Sequence, residues 1–316
     1  MDALSKILQS IRLRGVIYRK FQVRAPWGID LPKSRSLQFW KLLEGTCYLE
    51  VEEAICIHLS KGDLVLIPNG SNHCISDKSD SIRIPLKTFI EFRDSENPYF
   101  LNGDLKTVML GGHFDFDEHY QHPLITGLPG IIHLKGVHIQ DEDWLELTTN
   151  QILSEIDQPK PGSDILVSRL SEGLLIHTLR AYLDHSTIKQ GFLLALTDKR
   201  ISSALQNLQN SPEQNWTLEK LSKSAGLSRT LFFNRFKSLV GQTPLTYLQN
   251  WRMQMAKDLL LTSKDNVINI ANQVGYQSEA AFNRLFKHTF KETPASFRRN
   301  HSAGIRDLTS SPQSES

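Results

Sequence analysis

Between about residues 16 and 134, apolar positions come in short runs broken by turn residues. "LQFWKLL" is followed by Glu44-Gly45-Thr46 and then "CYLEV", while "AICIHL" is followed by "KGDLVLIPNG" and "NHCI". Short aromatic and β-branched runs with Gly, Pro and Asn breaks predict an antiparallel β barrel or sandwich. From about Asp141 the period lengthens. "EDWLELTTNQILSEI" places Trp144, Leu145, Leu147, Ile152 and Leu153 at helical spacing. After the breaker "PKPGS" (159–163), "DILVSRLSEGLLIHTLRAYL" carries a stripe of Ile165, Leu166, Leu170, Leu174, Leu175, Leu179 and Leu183. Such stripes predict amphipathic helices. "NSPEQNW" (210–216) reads as a loop, and the rest as helices interrupted near Gly226, Gly241, Thr262 and Tyr276. The end, "TSSPQSES", has the composition of a disordered tail.

Two segments of the helical region repeat. "AGLSRTLFFNRFKSLVGQTP" lies on "VGYQSEAAFNRLFKHTFKETP" with Ser228 on Ser278, Phe232 on Phe282, Phe236 on Phe286, Lys237 on Lys287 and Pro244 on Pro294, an offset of 50. Upstream the offset is 49, with Leu221 on Ile270 and Gly226 on Gly275, so the extra residue falls at Gln277 in a turn. Each copy runs helix, Gly-containing turn, helix, with Gly suited to the left-handed cap and Ser228 or Ser278 capping the second helix. That order predicts a helix-turn-helix used twice. A plain helical hairpin is the competing reading, and neither the repeat nor the basic faces would follow from it.

The pattern assigns faces. The helix from Ser278 is expected to bury Ala281, Phe282, Leu285 and Phe286 and to expose Glu279, Ala280, Asn283, Arg284 and Lys287, with Gln277 just ahead of it. The helix from Ser228 is expected to bury Leu231, Phe232 and Phe236 and to expose Arg229, Thr230, Phe233, Asn234 and Lys237. Asn and Arg suit base edges, Asn pairing with adenine and Arg with guanine, and Thr230 and Phe233 can touch thymine methyls. Between the copies, "PLTYLQNWRMQMAKDLLL" spaces Leu248, Trp251, Met255 and Leu259 along one long helix, a rigid spacer between two readers.

Charge sharpens this picture. Residues 198–301 hold fifteen Lys/Arg against seven Asp/Glu, a net of +8, within a chain of 316 residues whose total is only +2. A basic third beside an acidic remainder points to a polyanion partner at that end. The 40% hydrophobic content supports packed cores, and no apolar run approaches the roughly 18 residues that span a bilayer. "MDALSKILQSIRLRGV" lacks the apolar core and cleavage site of a signal peptide, so a cytoplasmic protein without a membrane partner is expected. Cys47, Cys56 and Cys74 are an odd number and give no disulfide framework.

About residues 198–300 resemble the DNA-binding domain of the AraC/XylS transcriptional regulators. The resemblance rests on "WTLEKLSKSAGLSRTLFFNRFKSLVGQTPLTYLQNWRMQMAKDLL" and "INIANQVGYQSEAAFNRLFKHTFKETPASFRR". It implies a seven-helix domain that reads two adjacent major grooves as a monomer. Family members often carry Arg where this chain has Asn234.

In the N-terminal half, "GDLVLIPNGSNH" sets Gly62, Pro68, Gly70 and His73 at a spacing that resembles the second motif of the cupin barrel, in which this histidine can be a metal ligand. The earlier H-x-H pair of metal cupins has no counterpart near Phe39–Lys41. A lone histidine does not hold a catalytic metal, which disfavours a cupin enzyme, and no cofactor or metal is expected. His113, His119 and His122 are the remaining histidines that could join His73. The half as a whole resembles cupin sensor domains fused to AraC-type readers. Trp40, Cys47, His73 and Cys74 are candidates for an effector pocket, and His73 beside Cys74 suggests an activated thiol.

The expected protein has two domains. An N-terminal antiparallel β cupin-like barrel (1–140), sensing a small molecule or an oxidant, is followed by a helical connector that also dimerises (141–195), through Leu166, Leu170 and Leu174. An all-α double helix-turn-helix (198–301) and a disordered tail (302–316) complete it. The function expected is sequence-specific regulation of transcription, by habit of the family as an activator. Its partners are double-stranded DNA, a second copy and RNA polymerase, and it has no catalytic residues. The alternative is a cupin-type enzyme with an accessory helical domain.

Overall fold

The computed structural model describes residues 2–11, 13–52, 55–94, 103–104, 106–116, 122–136, 143–185 and 191–307. The chain forms two units, Arg12–Ile188, and Met1–Ile11 together with Lys189–Ser316. The N-terminal helix α1 (Ala3–Ser10) therefore belongs with the C-terminal helices.

In the first unit, β1 (Arg14–Arg24), β9 (Lys106–Asp115), β3 (Leu37–Glu44), β6 (Leu64–Ile67) and β10 (Ile132–Leu134) form one sheet in that order. The second sheet is ordered β5 (Ile55–Ser60), β4 (Thr46–Val51), β7 (His73–Ser76), β2 (Gly28–Leu31) and β8 (Ile84–Pro85). Every pairing is antiparallel except that of β2 with β8. Alternation sorts the side chains. Along β4, Cys47, Leu49 and Val51 enter a shared core with Trp27, Trp40, Phe21, Phe89 and Met109, while Tyr48 and Glu50 stay half-exposed. Phe89 comes from α2 (Leu86–Asp94), which packs on β2 and β8. A short helix, α3 (Pro123–Thr126), precedes β10.

Six consecutive residues of β3, Leu37 to Leu42, are buried, so the sheet is covered on both sides. The outer cover is α4 (Asp143–Asp157) with α5 (Ser163–His185), which reaches from β1 at one edge to β10 at the other. Trp144 of α4 stacks on His177 of α5 at 4.3 Å. Leu145 and Ile152 of α4 and Leu174, Leu175 and Leu179 of α5 are buried. The connector stripe thus packs within this unit. Of the three leucines expected at a dimer contact, Leu174 is consumed here, Leu170 is half-buried and only Leu166 is exposed, at 44%.

The second unit continues through α6 (Phe192–Thr197), α7 (Lys199–Asn210), α8 (Leu218–Ser224), α9 (Arg229–Val240), α10 (Pro244–Thr262), α11 (Val267–Gln273), α12 (Glu279–Phe290) and α13 (Pro294–Asp307). α10 is central, with Tyr247, Leu248, Trp251, Met253, Ala256 and Leu260 buried, because both helix pairs pack on it. Met255 and Leu259, expected on one buried face, are only half-buried. One cluster joins Met253, Ala256 and Leu260 to Ile270, Val274, Phe282, Phe286, Phe290 and Phe297. The expected tail begins too early, since α13 runs to Asp307; residues 308–316 lie outside the described residues.

Helix α1 packs within the helical unit rather than on the barrel. Asp2 caps it, and Ala3, Ile7 and Ile11 are buried against α7 and α10. Lys6 Nζ donates to the carbonyl of Gln209 at 3.3 Å, and Gln254 Nε2 to the carbonyl of Ser10 at 3.3 Å.

Candidate nucleic-acid interface

Two helix pairs, α8–α9 and α11–α12, are built alike down to single hydrogen bonds. Thr217 and Asn266 cap the first helices, accepting from Lys220 N at 3.2 Å and Asn269 N at 2.9 Å. Gly226 and Gly275, at φ of 62° and 88°, turn the chain in the left-handed region where a side chain would be strained. The turns close identically, Leu227 N donating to Ser222 O at 2.9 Å and Tyr276 N to Ala271 O at 2.8 Å. Ser228 and Ser278 then cap α9 and α12, each accepting a backbone N–H at 3.3 Å. Thr243 and Thr293 accept from Thr246 N at 3.2 Å and Ser296 N at 3.3 Å, ahead of Pro244 and Pro294.

The exposed faces are rotated from those expected. Phe282, Phe286 and Phe290 are buried on α12, and Phe232, Phe236 and Val240 on α9. At 100° per residue, the opposite faces are centred on Ala281, Arg284 and His288, and on Leu231, Asn234 and Ser238, all exposed. Leu231 and Ala281 were expected inside, yet Leu231 is 52% exposed. Both lie within the first turn, as the residue whose N–H the capping serine accepts, and off the i, i+4 line of the phenylalanines. Arg229, Thr230, Asn234, Lys237, Gln277, Glu279, Ala280, Arg284 and Lys287 are exposed, whereas Phe233 and Asn283 are half-buried at the flanks. The Asn283 Oδ1 is buried without a hydrogen-bond partner, which turns its acceptor away from the surface.

Not every basic residue serves this face. Arg235 binds Asp198 through Nε at 2.6 Å, and Asp198 in turn caps α7 through Arg200 N and Ile201 N at 3.0 Å. Arg252 holds the carbonyls of Pro212 and Gln214 at 2.7 and 3.0 Å. Lys257 is buried over the rings of Phe290 and Phe297. Arg229, Lys237, Arg284 and Lys287 remain at the surface to meet phosphates or bases.

The residues expected to line an effector pocket divide, His73 and Cys74 lining one open groove and the other two lying elsewhere. Trp40 and Cys47 belong to the packed core. His73 is also buried. Its Nδ1 lies 2.8 Å from the carbonyl of Ser71, and its Nε2 accepts the indole N–H of Trp40 at 3.1 Å. Both ring nitrogens are thereby occupied, the first as donor and the second as acceptor. Burial lowers the pKa of His73 to about 4. Cys74 follows His73 on the strand, so the two side chains point to opposite faces and the histidine cannot activate the thiol. Burial raises the Cys74 thiol to about 11 and that of Cys47 to about 12. Cys74 lies on the outer face, in an open groove of about 750 Å³ lined also by His73, Asp30, Lys33, Glu50, Glu52 and Arg83; Arg83 pairs with Glu50 at 2.7 Å.

Of the other histidines, His122 is buried and caps α3 through Nδ1, which accepts Leu124 N at 3.0 Å. His113 faces Asp115 at 3.3 Å, and His119 lies outside the described residues. Among the described residues, no group of three or more His, Cys, Asp or Glu side chains is arranged to hold a metal ion.

A duplicated helix-turn-helix on a basic unit, in one chain with a two-sheet β unit carrying the Gly62–His73 turn, defines a DNA-binding regulator with a cupin domain. Residues 2–184 match the family model described as Cupin and residues 221–300 the one described as Helix-turn-helix domain. The chain is 31% identical over 307 residues to the HTH-type transcriptional regulator AlkR of Acinetobacter baylyi, covering 94% of this chain and 99% of that one. It is 29% identical over 305 residues to an AraC-like transcription regulator of Streptomyces lividans (95% and 99% covered). It is also 26% identical over 303 residues to the RCS-specific HTH-type transcriptional activator RclR of Escherichia coli (94% and 97% covered). The chain belongs to the AraC-type transcriptional regulators with an N-terminal cupin domain. It is a DNA-binding transcriptional regulator and not an enzyme. No helix among the described residues is long and apolar enough to cross a membrane.

Proposed function

We propose that the protein is a cytoplasmic transcriptional activator whose cupin unit senses a small molecule and whose two helix pairs read one DNA site. The observation that carries the reading is the duplicated, serine-capped pair α9 and α12, each presenting an exposed face opposite three buried side chains. Arg284 and Asn234 occupy equivalent places on those faces, with Lys237, Ala280 and Lys287 at their flanks and Arg229, Gln277 and Glu279 exposed at the helix starts. The activator role is supported by the activator among the relatives, and RNA polymerase is the partner it requires.

The sensing role is supported by the outer groove beside Cys74, whose size suits a small organic molecule. Oxidant sensing through Cys47 or Cys74 has less support, because both thiols are buried and held protonated. We propose a homodimer through the exposed start of α5, where Ile165 and Leu166 face solvent. Mapping the genomic sites bound by the full-length protein tests the function. Discrete sites upstream of genes whose transcripts fall on deletion support it, while uniform occupancy or rising transcripts contradict it.

A further inference from the structure

We propose that Leu231 reads the 5-methyl group of a thymine, so that the α8–α9 pair selects an A·T-containing half-site while the α11–α12 pair selects guanine. The inference rests on the DNA-binding reading above and assigns the specificity of its first half. Leu231 exposes 52% of its surface in the middle of the α9 face that carries Thr230 and Asn234. An apolar side chain on a basic, polar face gains nothing from water, and three aromatic or aliphatic neighbours on the same helix are buried behind it. Helix geometry places it there, since Phe232, Phe236 and Val240 form the buried line and Leu231 lies on the opposite side.

The major groove offers one apolar feature, the thymine methyl, which pairs with aliphatic side chains. On the same face, Asn234 stands one helical turn on, at i+3, within reach of a neighbouring base pair. Its amide matches N6 and N7 of adenine. The equivalent pair on α12 differs in kind. Ala281 takes the place of Leu231, and Arg284, whose fork matches O6 and N7 of guanine, takes the place of Asn234. Two copies of one scaffold thus carry different chemistry at matched positions. An asymmetric site, read in one orientation, follows from that difference.

The test uses the full-length protein and duplexes selected from random DNA. Each thymine of the selected site is replaced singly by deoxyuridine, which removes only the methyl group. We expect one thymine in the half-site read by α9 at which this costs about fourfold in affinity, the equivalent of burying one methyl group. Leu231→Ala should bind the unmodified site about tenfold more weakly and should no longer distinguish thymine from deoxyuridine there. Arg284→Ala should still distinguish them. If the wild type is indifferent at every thymine yet binds the site specifically, the assignment of Leu231 is overturned while DNA reading stands. If selection yields no specific site, the DNA-reading proposal itself fails.

Discussion

Trp40 of β3 donates its indole N–H to Nε2 of His73 on β7 at 3.1 Å, joining the two sheets inside the barrel. The contact fixes the histidine as a neutral acceptor. Protonation would set an N–H against an N–H in a buried place. With the ordinary value near 6.5 in the unfolded chain and about 4 in the folded one, the unfolded state binds more protons between those limits. Stability is therefore complete above about pH 6.5 and falls as the pH drops toward 4, by up to about 3 kcal/mol from this residue. His122, lowered to about 3 by burial, acts in the same direction. Urea unfolding from pH 7 to pH 4.5 should show the loss, with a shallower slope in His73→Gln. Equal slopes would contradict the assigned role.

Thiol chemistry separates the three cysteines. Cys56 is exposed on the edge strand β5, whereas Cys47 and Cys74 are buried. The buried thiols, raised to about 12 and 11, carry negligible thiolate at neutral pH. A maleimide at pH 7 should modify one cysteine per native chain, lost in Cys56→Ser, and three after denaturation. Rapid labelling of Cys74 in the native protein would restore it as a candidate sensor.

The helical unit should depend on residues far from it in sequence. Ile7 and Ile11 are fully buried there, as is Phe192 of α6. Each large apolar side chain contributes about 1.5–3 kcal/mol by burial. The expected bounds of the reader, 198–301, leave out these packed residues. The fragment 198–301 should melt well below 189–307, and a peptide of residues 2–14 should raise the melting temperature of the longer fragment. No effect of the peptide would remove α1 from the unit.

Much of this was legible in the sequence and some was not. The duplication, its caps and its glycines are local, and residues at fixed spacing state them directly. The faces of α9 and α12 lie about one residue from those the pattern suggests, because the buried i, i+4 line of phenylalanines runs on to Val240 and Phe290 and does not take in Leu231 or Ala281. The docking of α1 leaves no mark in "ALSKIL", whose stripe would suit any apolar groove. Trp40 and His73 lie 33 residues apart, and only strand pairing through the barrel brings them together.

Binding should weaken steeply with salt, since a domain of net +8 displaces counterions from several phosphates. Arg284→Ala should cost about 1–3 kcal/mol and relax preference at one base pair, with Lys287→Ala lowering affinity alike on all sequences. A site-selection experiment with each variant at two salt concentrations separates the two roles. An unchanged preference in Arg284→Ala would end its assignment to a base.

The central claim is that α9 and α12 read one site together, held by the continuous α10, which at about 1.5 Å per residue is roughly 28 Å long over its 19 residues. The most direct measurement is the affinity of the full-length protein for its selected site with 5 base pairs inserted between the two half-sites. Half a turn of DNA places the second half-site on the opposite face, about 5 base pairs being half of a 10–10.5 base-pair turn. The account predicts a loss of at least about tenfold, recovered in part by a 10 base-pair insertion only where a second protomer supplies the other reader. Undiminished affinity after the 5 base-pair insertion would show that one helix pair binds alone, and would contradict the account.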